Sequence, residues 1–209
     1  SYGDRANAVM LQSLGGGGGI VNAEAVGSSL GEGTAGDIDV DIQGHLGVFG
    51  EDGIGLIAQS EGRDGSGDID ILVQGDLVAG GERSLGIRGE SLSSEGERGN
   101  VSTRVLGNLE AAGKQSIGID ARVVTDEDYD KETRLEIGKS IIASGEEAQG
   151  ALVEIEAANI GAGDPSVNRS IVTVGESVVA SGLRSKGVVL SHDAADVDRK
   201  IELEVNESI

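Results

Sequence analysis

Acidic side chains provide the first candidates for chemistry in this chain of 209 residues. Asp126, Asp128 and Asp130 follow the D-x-D-x-D spacing of the first three ligands in a calcium-binding loop. Lys131 stands where such a loop needs a glycine for its sharp turn, and Ile137 stands where it needs a bidentate glutamate. We therefore interpret the run as a solvated inserted turn. A calcium-dependent surface module stays as an alternative.

A second acidic group alternates with aliphatic residues: Asp37, Asp39 and Asp41 in one segment, and Asp68 and Asp70 in another. On neighbouring strands, these carboxylates would lie roughly 5 Å apart and repel one another unless cations or lysines lie between them. Weak binding of divalent cations is one interpretation. A wet sheet face that keeps the protein soluble is the simpler one, and we predict no metal ligand here.

Groups that commonly form a catalytic site are scarce. His45 and His192 are the only histidines, and the absence of cysteine excludes thiol nucleophiles and thiolate metal sites. We find no Ser/His/Asp or Cys/His arrangement, and we expect His45 to be exposed at a strand boundary. The run Gly15–Gly19 lacks the lysine and the helix of a phosphate-binding loop, so it is predicted to be a flexible corner.

We therefore predict a protein that is not an enzyme and has no catalytic, cofactor-binding or metal-binding residue. The chain contains three aromatic residues, too few for the sugar platforms that polysaccharide-degrading enzymes use. An enzyme of that kind is the first alternative, which a groove with clustered carboxylates and a nearby basic residue would favour.

The charge of the chain limits its partners. It contains 37 acidic and 16 basic residues, for a net charge of −21. No basic stripe is present to neutralise phosphates, so we expect neither nucleic acid nor an anionic membrane surface as a partner. No apolar run is long enough to insert into a bilayer as a helix. Host or bacterial surface components stay open as partners, and the sequence does not identify them.

An internal repeat predicts the elements that position these residues. Each copy begins with glycine and reaches a second small residue five places later, followed by an aliphatic residue. The copies begin at Gly3, Gly50, Gly81, Gly113, Gly145 and Gly182, and the second small residues are Ala8, Gly55, Gly86, Gly118, Gly150 and Gly187. Successive copies are 47, 31, 32, 32 and 37 residues apart. Such a repeat indicates stacked supersecondary units.

Each unit is predicted to contain three short strands. The first is an alternating run such as GDIDVDIQ at residues 36–43, which has the period of two typical of a strand with one wet face. The second lies around Leu46 to Phe49, and the third runs from Ile54 to Ala58. No helical period is sustained. The sequence thus predicts an all-β fold: a right-handed parallel β-helix of about five to six three-stranded coils of about 32 residues.

Stacking of the coils predicts the core and the place of the loops. Aliphatic ladders should form from two sets, Ile38, Ile69 and Val101, and Val40, Ile71 and Thr103. Coil length varies in four segments, at residues 14–35, 122–133, 158–169 and 191–199. All four follow the third strand, so we expect them to emerge along one edge, where binding residues collect.

The organisation of the chain is predicted to be one β-helix segment, residues 1–209, cut from a longer solenoid. Its last residues, IELEVNESI, match the start of another coil, with Ser208 and Ile209 corresponding to Ser177 and Val178. Unpaired strand edges at both ends recruit other chains. We therefore expect end-to-end self-association at high concentration.

Two segments carry a family resemblance: LQSLGGGGG at residues 11–19 and GIGLIAQS at Gly53–Ser60. They resemble the passenger domains of large bacterial autotransporters, in which a run like GIxAQSIGGGGG recurs between β-helix coils. The later coils keep only a Ser-x-Gly-aliphatic part, at Ser84, Ser116 and Ser185. The specific part of the resemblance covers residues 8–60.

The resemblance implies a β-helix displayed on, or released from, the surface of a Gram-negative bacterium. Its anchor would be an outer-membrane barrel that this sequence does not contain. Passengers of this family serve as adhesins, biofilm factors and spacers, and sometimes as proteases or esterases. We therefore expect a non-catalytic structural or adhesive segment of a secreted cell-surface protein.

Overall fold

The computed structural model describes residues 2–15, 19–21, 24–26, 33–125, 132–157, 167–194 and 198–206. These residues form strands and turns without a helix, which confirms the all-β prediction. None of the described segments is a helix long and apolar enough to cross a membrane. The strands are β1 (Asn7–Leu14), β2 (Gly19–Val21), β3 (Glu24–Val26), β4 (Ile38–Ile42), β5 (Leu46–Val48), β6 (Ile54–Gly62), β7 (Ile69–Val73), β8 (Leu77–Ala79), β9 (Leu85–Ser93), β10 (Val101–Val105), β11 (Leu109–Ala111), β12 (Ile117–Thr125), β13 (Glu132–Ile137), β14 (Ile141–Ala143), β15 (Gln149–Ala157), β16 (Val167–Val174), β17 (Val178–Ala180), β18 (Lys186–Ala194) and β19 (Asp198–Val205).

Three parallel sheets make up the fold, and the chain visits them in turn. The middle sheet contains β4, β7, β10, β13, β16 and β19; the short-strand sheet contains β5, β8, β11, β14 and β17; and the long-strand sheet contains β1, β6, β9, β12, β15 and β18. This is the predicted β-solenoid. It makes about four turns, slightly fewer than the five to six coils predicted, since four successive pairings connect the strands of the short-strand sheet. Strands β2 and β3 form a separate antiparallel pair that the repeat did not predict.

The predicted ladders of the core are present in the register of the middle sheet. Ile38 pairs with Ile69 and then Val101, and Val40 pairs with Ile71 and then Thr103. Along β7, the side chains of Ile69 and Ile71 are buried, while Asp70 between them is exposed. The alternation of the sequence therefore separates the core from solvent as expected.

The third strand of each coil is longer than predicted. Strand β6 runs from Ile54 to Gly62 rather than ending at Ala58, and β9, β12, β15 and β18 also have nine residues. Ser60 points inward without ending the strand, because its hydroxyl donates to the carbonyl of Gly36 (3.0 Å) and accepts the N–H of Gly67 (2.8 Å). Parts of the predicted variable segments, such as residues 122–125 and 191–194, are consequently strand.

Close stacking explains both glycine positions of the repeat. A Cβ atom on Gly81, Gly113 or Gly145 would overlap the backbone of the repeat glycine one coil earlier. A Cβ atom on Gly118 would overlap both the carbonyl oxygen of Gly150 and the side chain of Leu109. The first glycine lets the turns of successive coils touch, and the second leaves room for the aliphatic residues of the short-strand sheet.

Two threonines interrupt the aliphatic ladders, and they give a testable prediction. The hydroxyls of Thr103 and Thr133 are buried and have no hydrogen-bond partner. A buried unpaired hydroxyl destabilises a fold, whereas valine keeps the branched shape without it. We expect Thr103→Val to raise the free energy of unfolding in urea by about 1 kcal/mol. Thr173→Val, at a half-buried outward position, should change it by less than about 0.5 kcal/mol. A loss of stability in the Thr103 variant would show that this hydroxyl is bonded in the folded protein.

Candidate functional site

Among the described residues, the outer surface of the long-strand sheet holds a group of buried and half-buried charges. Leu56, Ala58 and Ile119 point into the core, so alternation places their neighbours on the outside. Strand register arranges these neighbours in three columns, the third of which contains Glu61, and we call the first two columns the long-strand face. The first is Met10, Ile57, Arg88, Asp120, Leu152 and Val189, and the second is Gln12, Gln59, Glu90, Arg122, Glu154 and Ser191.

Ion pairs and an amide hydrogen bond connect neighbouring strands of this face. Arg88 Nη2 lies 3.1 Å from Asp120 Oδ2, and Arg88 Nε lies 3.7 Å from Glu90 Oε1. Gln12 Nε2 donates to Gln59 Oε1 at 2.7 Å across β1 and β6. The side chain of Asp120 is only 11% exposed. Charge-assisted bonds in such surroundings are stronger than those in open solvent.

Burial changes the protonation of two carboxyls on this sheet. Burial raises the pKa of Glu90, an effect that Arg88 opposes and Asp120 reinforces. Burial also raises the pKa of Glu61, which accepts a hydrogen bond from Gln59 at 3.2 Å. A carboxyl with a raised pKa can serve as a general acid. A surface cavity of about 230 Å³ lies beside Glu61 and is lined also by Arg63 and Val124.

Opposite pKa shifts predict opposite effects of two isosteric substitutions. Glu90 has a raised pKa, so the stability linked to it is present below the ordinary glutamate pKa and is lost as pH rises through the folded value. Hydrogen bonds from Gln115 and then Arg184 lower the pKa of Glu147. The stability linked to Glu147 is therefore present above the ordinary value and is lost as pH falls through the folded value.

We therefore expect Glu90→Gln to raise the melting temperature near neutral pH and Glu147→Gln to lower it. Both differences should shrink below about pH 4, where glutamates become protonated. Thermal melts at a series of pH values test this. A lower melting temperature for Glu90→Gln at neutral pH would show that its ion pair with Arg88 outweighs its burial.

The aspartates that alternate with aliphatic residues lie in two different environments. Asp37 Oδ1 accepts the N–H of Asp68 at 2.9 Å, and Asp68 Oδ1 accepts the N–H of Asn100 at 2.7 Å. These carboxylates therefore connect one corner of successive coils. Asp39 and Asp70 are paired in register on the wet face of the middle sheet. Within the described residues, no group of three or more His, Cys, Asp or Glu side chains could hold a metal ion.

A second corner ladder contains His45, which is exposed as predicted. Its Nδ1 accepts the N–H of Asp76 at 2.9 Å, and Asp76 Oδ1 accepts the N–H of Asn108 at 2.7 Å. Asn108 Oδ1 in turn accepts the N–H of Ser140 at 3.3 Å. The N–H of Asn108 lowers the pKa of Asp76. His45 thus connects the turn between β4 and β5 to the next coil.

A third corner ladder was not predicted. Six non-glycine residues have φ between 52° and 58° in the repeat turn: Arg5, Asp52, Arg83, Gln115, Glu147 and Arg184. This left-handed conformation is unfavourable for residues with a Cβ atom. Bonds between coils offset it: Arg83 Nε lies 2.7 Å from Asp52 Oδ1, and Arg184 Nη1 lies 2.9 Å from Glu147 Oε1. The hydrogen bond from Arg83 lowers the pKa of Asp52.

The two segments that resemble autotransporter passengers also contribute to the stacking of successive coils. Gln12 and Ser13 lie in register with Gln59 and Ser60, so the two copies of the motif stack on adjacent coils. The later serines have a different role. The hydroxyls of Ser84, Ser116 and Ser185 each donate at 2.8 Å to the carbonyl of the repeat glycine three residues earlier.

The four predicted variable segments begin within or directly after strands of the long-strand sheet, and parts of them belong to strands. The calcium-like run Asp126–Asp130 lies outside the described residues, as do Gly16–Gly18, residues 158–166 and the C-terminal match at Ser208 and Ile209. Those predictions stay as predictions.

Comparison of the chain with protein-family models, curated proteins and solved structures finds no match. The resemblance to autotransporter passengers therefore stays a prediction.

Proposed function

We propose that this chain is a non-catalytic structural or adhesive segment of a secreted bacterial cell-surface protein. The observation that carries the proposal is the set of three polar ladders, one at each corner, in which side chains connect successive coils. Such a rod keeps its shape by contacts between neighbouring coils alone. Presentation at a Gram-negative outer membrane, through a barrel outside this sequence, is part of the proposal and rests on the motif resemblance.

The chemistry of the surface favours a structural or adhesive role. Charged groups of the long-strand face form ion pairs between coils, such as Arg88–Asp120, which hold neighbouring coils together. The net charge of −21 favours solubility and disfavours phosphate-rich partners. The coils also differ little in backbone, since the register of β9 with β12 repeats in β12 with β15.

A coil deletion tests this role. Deletion of residues 81–112 removes one repeat of 32 residues and joins Gly80 to Gly113. The chain and its variants would be fused between a secretion signal and an outer-membrane barrel. We expect the deletion to leave a cooperative β-sheet melt and to preserve surface exposure on intact cells, with a rod shorter by about 5 Å.

The control is deletion of residues 81–96, which removes half a coil and breaks the register of every later strand. We expect this variant to lose both the melt and surface exposure. Failure of the complete chain to reach the surface would contradict the localisation. Failure of the 81–112 deletion to fold would contradict the account of interchangeable coils.

The alternative of a polysaccharide-degrading enzyme is favoured by one observation, the raised pKa of Glu90 beside Arg88. Release of reducing ends from neutral and acidic polysaccharides would support it, provided that Glu90→Gln abolished the release. We expect no release by either protein.

A further inference from the structure

Two of the three aromatic residues in the chain, Tyr2 and Phe49, are stacked on each other at the surface. Their ring centroids are 5.3 Å apart, and the planes of the rings differ by 21°. Tyr2 is 85% exposed and Phe49 is 47% exposed. Exposed rings that are nearly parallel present an apolar platform to solvent, whereas an aromatic cage for an organic cation surrounds its ligand with rings.

Glycines leave room for the Phe49 ring against the short-strand sheet. A Cβ atom on Gly47 would lie 2.8 Å from Cε2 of this ring, and a Cβ atom on Gly80 would lie 2.8 Å from its Cδ1. The ring therefore extends over two neighbouring coils, in space that side chains at either glycine would fill. Tyr2 and Phe49 each directly precede a repeat glycine, so they occupy equivalent positions on adjacent coils.

A polar groove lies at the other end of β5. Its volume is about 390 Å³, and its lining includes His45, Gln74, Asp76, Leu106 and Lys139. The side chains of His45 and Leu106 are exposed to solvent. The groove thus combines an imidazole, an amide, a carboxylate and an ammonium group with one apolar side chain. Its volume is within the range of ordinary small-ligand sites.

We propose that the aromatic pair and this groove together bind an uncharged oligosaccharide. The proposal rests on the adhesive role proposed above, for which it names the class of ligand. The apolar C–H faces of a sugar pack on aromatic rings, while its hydroxyls donate and accept hydrogen bonds. Strand β5 separates the two parts and has three residues, or roughly 10 Å of length, so a short oligosaccharide can contact both.

Charge and size distinguish this ligand from others. Asp76 and Lys139 offset each other's charge within the groove, and the net charge of −21 disfavours an anionic sugar. Two aromatic side chains offer roughly 300–500 Å² of surface, whereas a stable interface between proteins buries about 800 Å² per partner. The platform therefore suits sugar rings better than a folded protein.

The single phenylalanine of the chain provides a direct probe of binding. Fluorinated phenylalanine incorporated into the whole chain gives one fluorine resonance, which belongs to Phe49. Neutral oligosaccharides of glucose, galactose, mannose and N-acetylglucosamine would be titrated separately, with sialylated and sulfated oligosaccharides as acidic counterparts. We expect at least one neutral oligosaccharide to shift the resonance until it saturates. The absence of any such shift, or a shift with acidic oligosaccharides alone, would overturn the proposal.

Substitutions on the platform separate ring stacking from apolar contact. In saturation-transfer NMR on the neutral oligosaccharide that binds, we expect Phe49→Leu to weaken binding about tenfold and Tyr2→Phe to preserve it. The matched control is Leu183→Ala, which truncates another exposed apolar side chain in a later repeat turn and should leave binding unchanged. Circular dichroism checks the fold of each variant. Undiminished binding by Phe49→Leu, or an equal loss in the control, would overturn the proposal.

A substitution in the groove tests its share of the site. Gln74→Ala removes one amide from the lining, so we expect the same oligosaccharide to bind about threefold more weakly. An unchanged affinity would contradict the part of the proposal that includes the groove.

Failure of this proposal is distinguishable from failure of the proposed function, because surface exposure is measured separately in the coil-deletion experiment. A chain that reaches the cell surface and binds no oligosaccharide would overturn the ligand and leave the structural role. A chain that binds an oligosaccharide in solution and does not reach the surface would contradict the localisation alone.

Discussion

Gly113→Ala is expected to lower the free energy of unfolding by about 3 kcal/mol, because no space exists for a methyl group at this position. A Cβ atom on Gly113 would overlap the backbone carbonyl of Gly81 one coil earlier. Backbone atoms cannot move aside as the end of a flexible side chain can. The two coils must therefore separate, which strains the parallel pairing on both sides of the turn.

Urea unfolding followed by circular dichroism measures this loss, and Gly44→Ala is its control. A Cβ atom on Gly44 meets no atom within 4 Å, so that substitution should change the stability by less than about 0.5 kcal/mol. Equal effects of the two substitutions would show that the repeat glycine is not required for close stacking.

Leu109→Ala is expected to destabilise the protein by about 2–5 kcal/mol. Leu109 is fully buried in the short-strand sheet, where it stacks between Leu77 and Ile141 and fills the space left by Gly118. Its neighbours are held in ladders, so they cannot collapse into the cavity. The loss should therefore be near the upper half of that range.

Leu106→Ala provides the comparison for this second substitution. Leu106 is 45% exposed, three residues from Leu109, and its truncation leaves no cavity. We expect a change below about 1 kcal/mol in the same urea titration. A small effect of Leu109→Ala would mean that the coils do not form a packed core.

The sequence was sufficient for the parts of the fold that depend on repetition. The spacing of the repeat glycines predicted the length of each coil. The alternation around Ile69 and Ile71 predicted which face is buried and how the strands pair. Both are local patterns that stacking multiplies, so one correct unit predicts its neighbours. The end of the third strand was wrong because Ser60 and Gly62 suggest a turn, whereas backbone partners one coil away allow Ser60 to stay in the strand.

The charged groups were harder to predict because their partners lie a coil away. Arg88 and Asp120 are 32 residues apart and look like isolated surface charges until the register is known. Arg83 occupies a left-handed turn position at which glycine or asparagine is expected, and only its pairing with Asp52 accounts for it. Aligning the repeat copies and comparing charges at equivalent positions would have found both pairs.

The measurement that tests the central claim most directly is a far-ultraviolet circular dichroism melt of the chain in calcium and in chelator. If the rod is held by aliphatic ladders and polar corners, the chain gives a β-sheet spectrum and one cooperative transition at the same temperature in both. A chain that is disordered in chelator and folds only with calcium would contradict the account, because its stability would then depend on a ligand.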